Sequence, residues 1–201
     1  MQIDETLKAG FVPAFSHVWS LFTHSLERAG DDVLFVPDKR FLHIAAISAE
    51  LLEGEGVKGL VLDIDYTLAD RYAPLPDDEI RTFISNLKEA EIRLYVLSNN
   101  YHNRVSRFAA ALDLPYRSNG LKPLPHAFSR AVQSMDLPKD RVVAVGDQIY
   151  TDVVGGHLAG LRVWMVSPYG GGGHSLFYRL RRRLEMPFIR ACPAEGREEQ
   201  P

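Results

Sequence analysis

Four short apolar runs punctuate this chain at intervals that each leave room for helices, and that alternation constrains the fold more than any other feature. The runs are Leu60-Val61-Leu62, Leu94-Tyr95-Val96-Leu97, Val142-Val143-Ala144-Val145 and Val163-Trp164-Met165-Val166. They are continuous rather than alternating in polarity, as strands buried on both faces are. Helical patterns over 76–90, 101–112, 123–136 and 151–159 lie between them, with a short strand expected near Tyr116. A further helical stretch, 45–53, precedes Gly54, Gly56 and Gly59. This alternation predicts an α/β fold, a doubly wound, Rossmann-like parallel sheet with helices on both faces. Ligands of such a sheet bind beyond the carboxyl ends of its strands.

The polar residues respect that geometry. Asp63 and Asp65 end the first run, Ser98 and Asn99 the second, and Asp147 the third. Chance would scatter them among strand starts, strand ends and helix faces, so the clustering points to one site. Oxygen-only ligands suit a hard cation such as Mg²⁺, which binds through one or two carboxylates and a substrate phosphate. No Cys/His cluster with zinc spacing competes for the role. An Asp carboxylate can also attack phosphorus and form an aspartyl-phosphate. Its repulsion with phosphate then needs cations, which Mg²⁺ and a lysine supply. Lys122, in a loop that opens a helix, is that lysine, and Asp65 is placed to protonate the leaving oxygen and then activate water.

At these residues the sequence resembles the haloacid dehalogenase superfamily of phosphatases. The first motif reads Asp63-Ile64-Asp65-Tyr66-Thr67-Leu68, the second ends at Ser98, the third is Lys122, and the fourth runs from Gly146-Asp147 to Thr151-Asp152. The resemblance implies that Asp63 is the nucleophile and a metal ligand, and that Asp65 is the acid/base and binds the metal through its carbonyl. It further implies that Asp147 ligates Mg²⁺, that Asp152 anchors the ligands from behind, and that Thr67, Ser98, Asn99 and Lys122 hold the phosphoryl group or substrate. Asn99 reads equally well as a helix cap. Asp65 argues against the dehalogenase branch, which lacks an acid there. Residues 33–169 look most like the YqeG-type subfamily of class IIIA, which includes phosphatidylglycerophosphate phosphatases. Tyr66 departs from the Asn usual in that subfamily.

The intervals from Asp65 to Ser98 and from Ser98 to Lys122 each hold about one βα unit. Neither leaves room for a cap, so a capless site is expected, with Asp70-Arg71-Tyr72-Ala73 as a flap beside it. In this superfamily an open site goes with bulky substrates or with oligomers, so a homo-oligomer is one expectation.

Three regions are expected: an extension over 1–32, the phosphatase domain over 33–169, and a glycine-rich link with a basic helix and tail over 170–201. In the first, Phe15, Val18, Trp19, Phe22 and Leu26 form the apolar stripe of a helix over 12–28. In the last, a helix over 174–190 is expected to stop early at Pro187, and 193–201 to be disordered. Its arginines read as a solvated face, or alternatively as a peripheral contact with anionic membrane.

The net charge of −3 provides no general attraction to nucleic acid, and no nucleic-acid partner is expected. Cys192 is the single cysteine, and no signal-like segment or run of 18 apolar residues occurs, which fits a cytoplasmic protein. The leading expectation is a Mg²⁺-dependent hydrolase of a phosphate ester, phosphatidylglycerophosphate above all. The alternatives are a phosphatase of a soluble metabolite or nucleic-acid end, a receiver-like phospho-acceptor without enzymatic activity, and a scaffold that retains only metal binding. A receiver needs no acid two residues after its acceptor, so Asp65 disfavours that alternative.

Overall fold

The computed structural model describes residues 34–173 and 175–195. The helix expected over 12–28 and the tail beyond 195 lie outside them. Six parallel strands form one sheet: β1 (Lys39–Phe41), β2 (Gly59–Leu62), β3 (Arg93–Leu97), β4 (Tyr116–Arg117), β5 (Val142–Gly146) and β6 (Arg162–Val166). Their spatial order is β1-β6-β5-β2-β3-β4. From β2 the chain builds outward through β3 to β4, and from β5 it builds the other way to β6. The order therefore reverses between β2 and β5, where a crevice opens above the strand ends.

The helices are α1 (Ala49–Gly54), α2 (Asp78–Glu89), α3 (His102–Ala110), α4 (Pro125–Met135), α5 (Val154–Leu158) and α6 (Leu176–Ala191). Successive strand residues feed opposite layers. Leu60, Leu62, Val96, Val145 and Trp164 pack under Ile80 and Phe83 of α2 and Phe108 of α3. Val61, Leu97, Ala144, Val163 and Met165 pack under Phe128 and Ala131 of α4 and Ile189 of α6. Side chains start three of the helices: Ser48, Asp77 and Ser175 accept from the amides of Leu51, Ile80 and Tyr178 at 3.2, 3.0 and 3.1 Å. Between β2 and β3 lie one loop and α2, and between β3 and β5 only α3, β4, α4 and a short 3₁₀ turn. Among the described residues no cap domain covers the strand ends.

Three local expectations change, and a fourth feature was not anticipated. The helix expected over 151–159 is a wide π turn, Ile149–Val153, followed by the short α5. Gly155 and Gly156 explain how that segment lies so close to its neighbours. A Cβ on Gly156 would meet Val163 Cγ2 at 2.4 Å, and one on Gly155 would meet Phe128 Cε2 at 2.5 Å. α6 does not stop at Pro187 but runs to Ala191, because Phe188 stacks on Phe35 at 5.0 Å and Ile189 is buried. Residues 193–195 follow β1, with the Glu195 amide donating to the Arg40 carbonyl at 2.7 Å and Lys39 Nζ to Glu195 Oε1 at 2.8 Å.

The fourth is β1, which is too short and too basic to read as a strand in sequence. Asp38 secures it. Its amide donates to the Val163 carbonyl at 2.9 Å, its Oδ2 accepts from the Val163 amide at 2.6 Å, and His157 Nε2 lies 3.0 Å from the same oxygen. Burial pushes the Asp38 carboxyl up, but the bonds from His157 and Val163 outweigh it and leave it below the ordinary aspartate value. A lowered native pKa contributes stability above the unfolded value, about 3.9, that is lost as pH falls through the native one. Wild type is therefore expected to be more stable than Asp38→Asn in urea unfolding at neutral pH, with the gap narrowing below about pH 4. A gap independent of pH would show that the charge is not what secures β1.

Candidate active site

The crevice at the switch point is walled by the ends of β2, β3 and β5. Just past β2, the Asp63 amide donates to the Val145 carbonyl at 3.0 Å, prolonging the ladder by one residue. The chain then turns sharply. The amides of Thr67, Leu68 and Ala69 all converge on the Ile64 carbonyl at 2.9–3.1 Å, and Tyr66 adopts a left-handed φ of 65°. Asn tolerates that backbone far better than Tyr does, which explains why Asn suits this position. Here the Tyr66 ring packs 5.2 Å from the Tyr178 ring of α6.

That turn brings Asp65 towards α3. Its Oδ1 accepts from Arg104 Nε and Nη2 at 3.0 and 2.7 Å, and its Oδ2 from Asn100 Nδ2 at 2.8 Å. Arg104 Nη1 and Nη2 also donate to the carbonyls of Ala73 and Asp70, at 2.5 and 3.2 Å. One guanidinium thus binds both Asp65 and the flap. Sequence reading missed Arg104 and Asn100, although each follows shortly after Ser98.

Beyond β3, Ser98 Oγ accepts from the Asn100 amide at 3.1 Å. Asn99 lines the cavity but does not cap α3. Its Oδ1 accepts from the Lys122 amide at 2.7 Å and its Nδ2 donates to the Lys122 carbonyl at 3.0 Å, while Tyr101 occupies the N-cap of α3. Asn99 therefore grips the backbone of the lysine loop. Thr67 is buried, and its hydroxyl has no hydrogen-bond partner among the described residues.

Lys122 Nζ donates to Asp63 Oδ1 at 2.6 Å and to Asp152 Oδ1 at 2.5 Å. Asp152 reaches it because Gly146 ends β5. A Cβ there would lie 2.3 Å from Asp152 Cγ. Asp152 Oδ2 also accepts from the Gln148 amide at 3.2 Å, closing the π turn over the strand end. Such turns are often found at functional sites.

Asp147 is fully buried, and neither of its carboxylate oxygens has a hydrogen-bond partner among the described residues. Oxygens of Asp63, Asp147 and Asp152 lie within 4.8 Å of one another. Three carboxylates thus surround one ammonium, a surplus of two negative charges if all are ionised. Burial pushes Asp63 up to about 7, with Lys122 pulling it back and Asp152 and Asp65 adding to the rise. Asp147 is held well above the ordinary value by burial and by Asp152 and Asp63. Burial works against the Lys122 charge, but the two flanking carboxylates outweigh it and hold its ammonium above the usual lysine range. Burial raises the two carboxyls first, and the neighbouring carboxylates that add to that rise also hold the ammonium charged. A buried, oxygen-only set of this kind, with the Asp147 oxygens unpartnered among the described residues, fits a divalent cation. Asp65 contributes no side-chain oxygen to the set, since its carboxylate faces Arg104.

The basic C-terminal helix is not a simple solvated face. Arg182 Nη1 donates to the Asp147 carbonyl at 2.9 Å and to Glu185 Oε2 at 3.2 Å. Glu185 is fully buried and accepts from the Ile149 amide at 3.2 Å, and Arg181 Nη1 donates to Gln148 Oε1 at 2.8 Å. α6 therefore clamps the loop of the fourth motif. The signal in sequence was Glu185 lying three and four residues after two arginines, a spacing that lets one acid bridge both. Together these segments enclose a cavity of about 490 Å³, with Asp63, Asp65, Ser98 and Lys122 at its base. Arg71 and Tyr72 of the flap and Tyr178 and Arg181 of α6 line it as well.

A family model for haloacid dehalogenase-like hydrolases matches residues 8–160. "Probable phosphatase YqeG" of Bacillus subtilis (strain 168) is 33% identical over 162 residues, covering 81% of this chain and 94% of that protein. A solved structure from Vibrio cholerae, assigned as a 3-deoxy-D-manno-octulosonate 8-phosphate phosphatase, matches with a TM-score of 0.50 at 16% identity, over 73% of this chain and 93% of that one. That likeness concerns the fold.

The carboxylate surplus makes a prediction. Asp147→Asn should raise the melting temperature of metal-free protein while erasing its stabilisation by divalent cations. In wild type, a cation at a hundred times its Kd adds about 2.7 kcal/mol. Melting curves in chelator and then in MgCl₂ test this, and a variant that responds like wild type would refute the assignment of Asp147 as a ligand.

Proposed function

Because this chain belongs to the haloacid dehalogenase-like hydrolases and is a phosphatase, we propose that it hydrolyses phosphomonoesters through an aspartyl-phosphate on Asp63, with Mg²⁺ as its cation. The observation that carries this reading is the Lys122 ammonium bonded to Asp63 beside the orphaned Asp147, at the base of an open cavity. In the first step an Asp63 oxygen attacks phosphorus, the bond from phosphorus to the ester oxygen breaks, and Asp65 gives its proton to the departing oxygen. In the second, Asp65 takes a proton from water, the water oxygen attacks phosphorus, and inorganic phosphate leaves with Asp63 regenerated. Lys122, held charged, neutralises the phosphoryl oxygens, and Ser98 donates to one of them. Asp63, Asp147 and the Asp65 carbonyl would hold Mg²⁺, while Asp152 fixes Lys122 and the π turn. When bound, the ion offsets the carboxylate surplus and takes up charge on the transferring phosphoryl group. Arg104 and Asn100 keep the Asp65 carboxylate at the cavity.

Phosphatidylglycerophosphate is the specific substrate we propose. The YqeG resemblance supports it, and so does α6, where Leu176, Leu180 and Leu184 are exposed at helical spacing beside the exposed Arg179 and Arg183. An apolar stripe flanked by cations suits the interface of an anionic bilayer, so the enzyme would be cytoplasmic and peripheral to the membrane. No described helix is long and apolar enough to cross one.

Mg²⁺-dependent phosphate release from a panel of phosphate esters including this lipid tests the reading. Asp63→Asn is expected to be at background. Asp65→Asn should lose about 10²–10⁴ in rate and accumulate phosphoenzyme visible by mass spectrometry. Activity of Asp63→Asn equal to wild type would sink the mechanism. Vesicle flotation of Leu176→Ser/Leu180→Ser/Leu184→Ser tests the membrane contact. Unchanged binding removes it. Deleting α6 would be uninformative, because the helix also clamps the fourth motif.

A further inference from the structure

The exposed apolar side chains of this protein are gathered at one edge of the sheet. Among the described residues Leu42 follows β1, Tyr72 and Leu75 follow β2, Tyr101 follows β3, and Leu121 and Leu124 follow β4. The other exposed leucines lie on α6, which starts after β6. The turns that enter the strands from the opposite edge carry none among the described residues. Tyr72 and Tyr101, both well exposed, stand at the mouth of the site cavity, and Leu121 directly precedes Lys122 at its base.

Local stability is given up at three of these positions. Leu121 is 66% exposed and holds a left-handed φ of 55°. Asn or Gly occupies that backbone at less cost. Tyr101 and Leu124 are the N-caps of α3 and α4, and neither side chain bonds a helix amide. Ser, Thr, Asp or Asn is preferred there, and Ser48, Asp77 and Ser175 fill that role on α1, α2 and α6. The Asn119 amide donates to the Asn100 carbonyl at 3.0 Å, which brings the loops before α3 and α4 together. A cost repeated at adjoining surface positions around one opening points to a use outside the fold.

The charge of this edge identifies what the rim meets. A helix dipole favours acids in the first turn, yet α3, α4 and α6 carry none there. Exposed arginines accompany the apolar side chains, Arg71 on the flap and Arg179 and Arg183 on α6. Exposed acids gather instead at the start of α1 and α2, where Glu50, Asp78 and Glu79 line a groove that shares no residue with the site cavity. Apolar tips on separate loops, with tyrosines at the rim and cations beside them, suit the interface of an anionic bilayer. A protein partner buries a continuous patch with a packed core, whereas exposed Asn99, His102 and Asn103 interrupt this one.

We propose that the mouth of the site is itself the membrane-facing surface. Tyr72, Tyr101, Leu121 and Leu124 enter the interface of an anionic bilayer, and the cavity opens onto headgroups that stay in the membrane. This rests on the phosphatase reading above and deepens it, because the α6 stripe makes the enzyme peripheral whereas the rim fixes which way the site faces. Leu176 belongs to both surfaces, since Ser175 before it lines the cavity.

The test uses the full chain and vesicles of phosphatidylcholine with or without phosphatidylglycerol. Leu121→Asn/Leu124→Ser supplies a residue that tolerates the left-handed backbone and a residue that caps α4, so the variant is expected to melt higher than wild type. Its partition onto anionic vesicles is expected to fall about ten- to a hundredfold, the range for losing the burial of one leucine side chain. Hydrolysis of phosphatidylglycerophosphate in those vesicles should fall with it, while kcat/KM for soluble p-nitrophenyl phosphate stays at the wild-type value. Unchanged partition overturns the proposal.

A label reads the orientation. An environment-sensitive fluorophore on Leu121→Cys, in a Cys192→Ser background, should shift to the blue on anionic vesicles. The same label on Asp140→Cys, in the 3₁₀ turn that enters β5 from the opposite edge, should not. Equal shifts at both positions, or none at Leu121 while the protein binds, overturn the proposal and leave the α6 contact standing. A double variant that turns a dimer into a monomer without changing vesicle partition assigns the rim to a second copy and also overturns it. Wild type that hydrolyses neither ester overturns the phosphatase reading, while partition and label still decide whether the rim meets the bilayer.

Discussion

The Lys122 ammonium, bonded at once to Asp63 and Asp152, is the interaction on which the rest of the site depends. Without it three buried carboxylates would face one another at the end of β5 and β2, and like charges that close raise each other's cost of ionisation. With it two of the three are tied to a single point, while the Asp147 carboxylate has no hydrogen-bond partner among the described residues. Much of the neighbouring structure keeps that lysine in place. Asn99 grips its backbone on both sides, and Gly146 gives Asp152 the space to reach it.

A doubly wound sheet supplies the framework for this economically. Its central strands end side by side at the reversal of strand order, so residues far apart in sequence arrive within one small volume without a long loop. Stability and reactivity are divided between the two sides of the strand end. Below it, Leu62, Val96 and Val145 are buried among apolar neighbours. Above it, every side chain discussed as reactive is polar, and burial is what raises the Asp63 and Asp147 carboxyls most.

Most of the framework and the base of the site were legible in the sequence, for a physical reason. Continuous apolar runs have few structural solutions, and a charged residue directly after such a run has nowhere to go but the strand end. Asp63 and Asp147 were found in that way, and the polar Ser98 likewise, while Lys122 was picked out as a lysine in a loop that opens a helix. Arg104 was not, because an arginine in the first turns of a helix is ordinarily a surface residue, and only the sharp turn at Tyr66 swings Asp65 into its reach. β1 was invisible because its pairing is secured by one aspartate rather than by apolar pattern. Arg181 and Arg182 looked solvated because the residue that buries them, Glu185, is itself charged, and a charge does not announce itself as a packing partner.

The clamp of α6 on the fourth-motif loop also bears on when the site comes into being. The nucleophile, the lysine and all three clustered acids precede α6 in the chain, and the ribosome releases them first. Until residues 176–191 have emerged, the Asp147 carbonyl lacks Arg182 and the Ile149 amide lacks Glu185. The acid cluster is therefore synthesised before the helix that steadies it, and assembly of the site is a late event in the birth of the molecule.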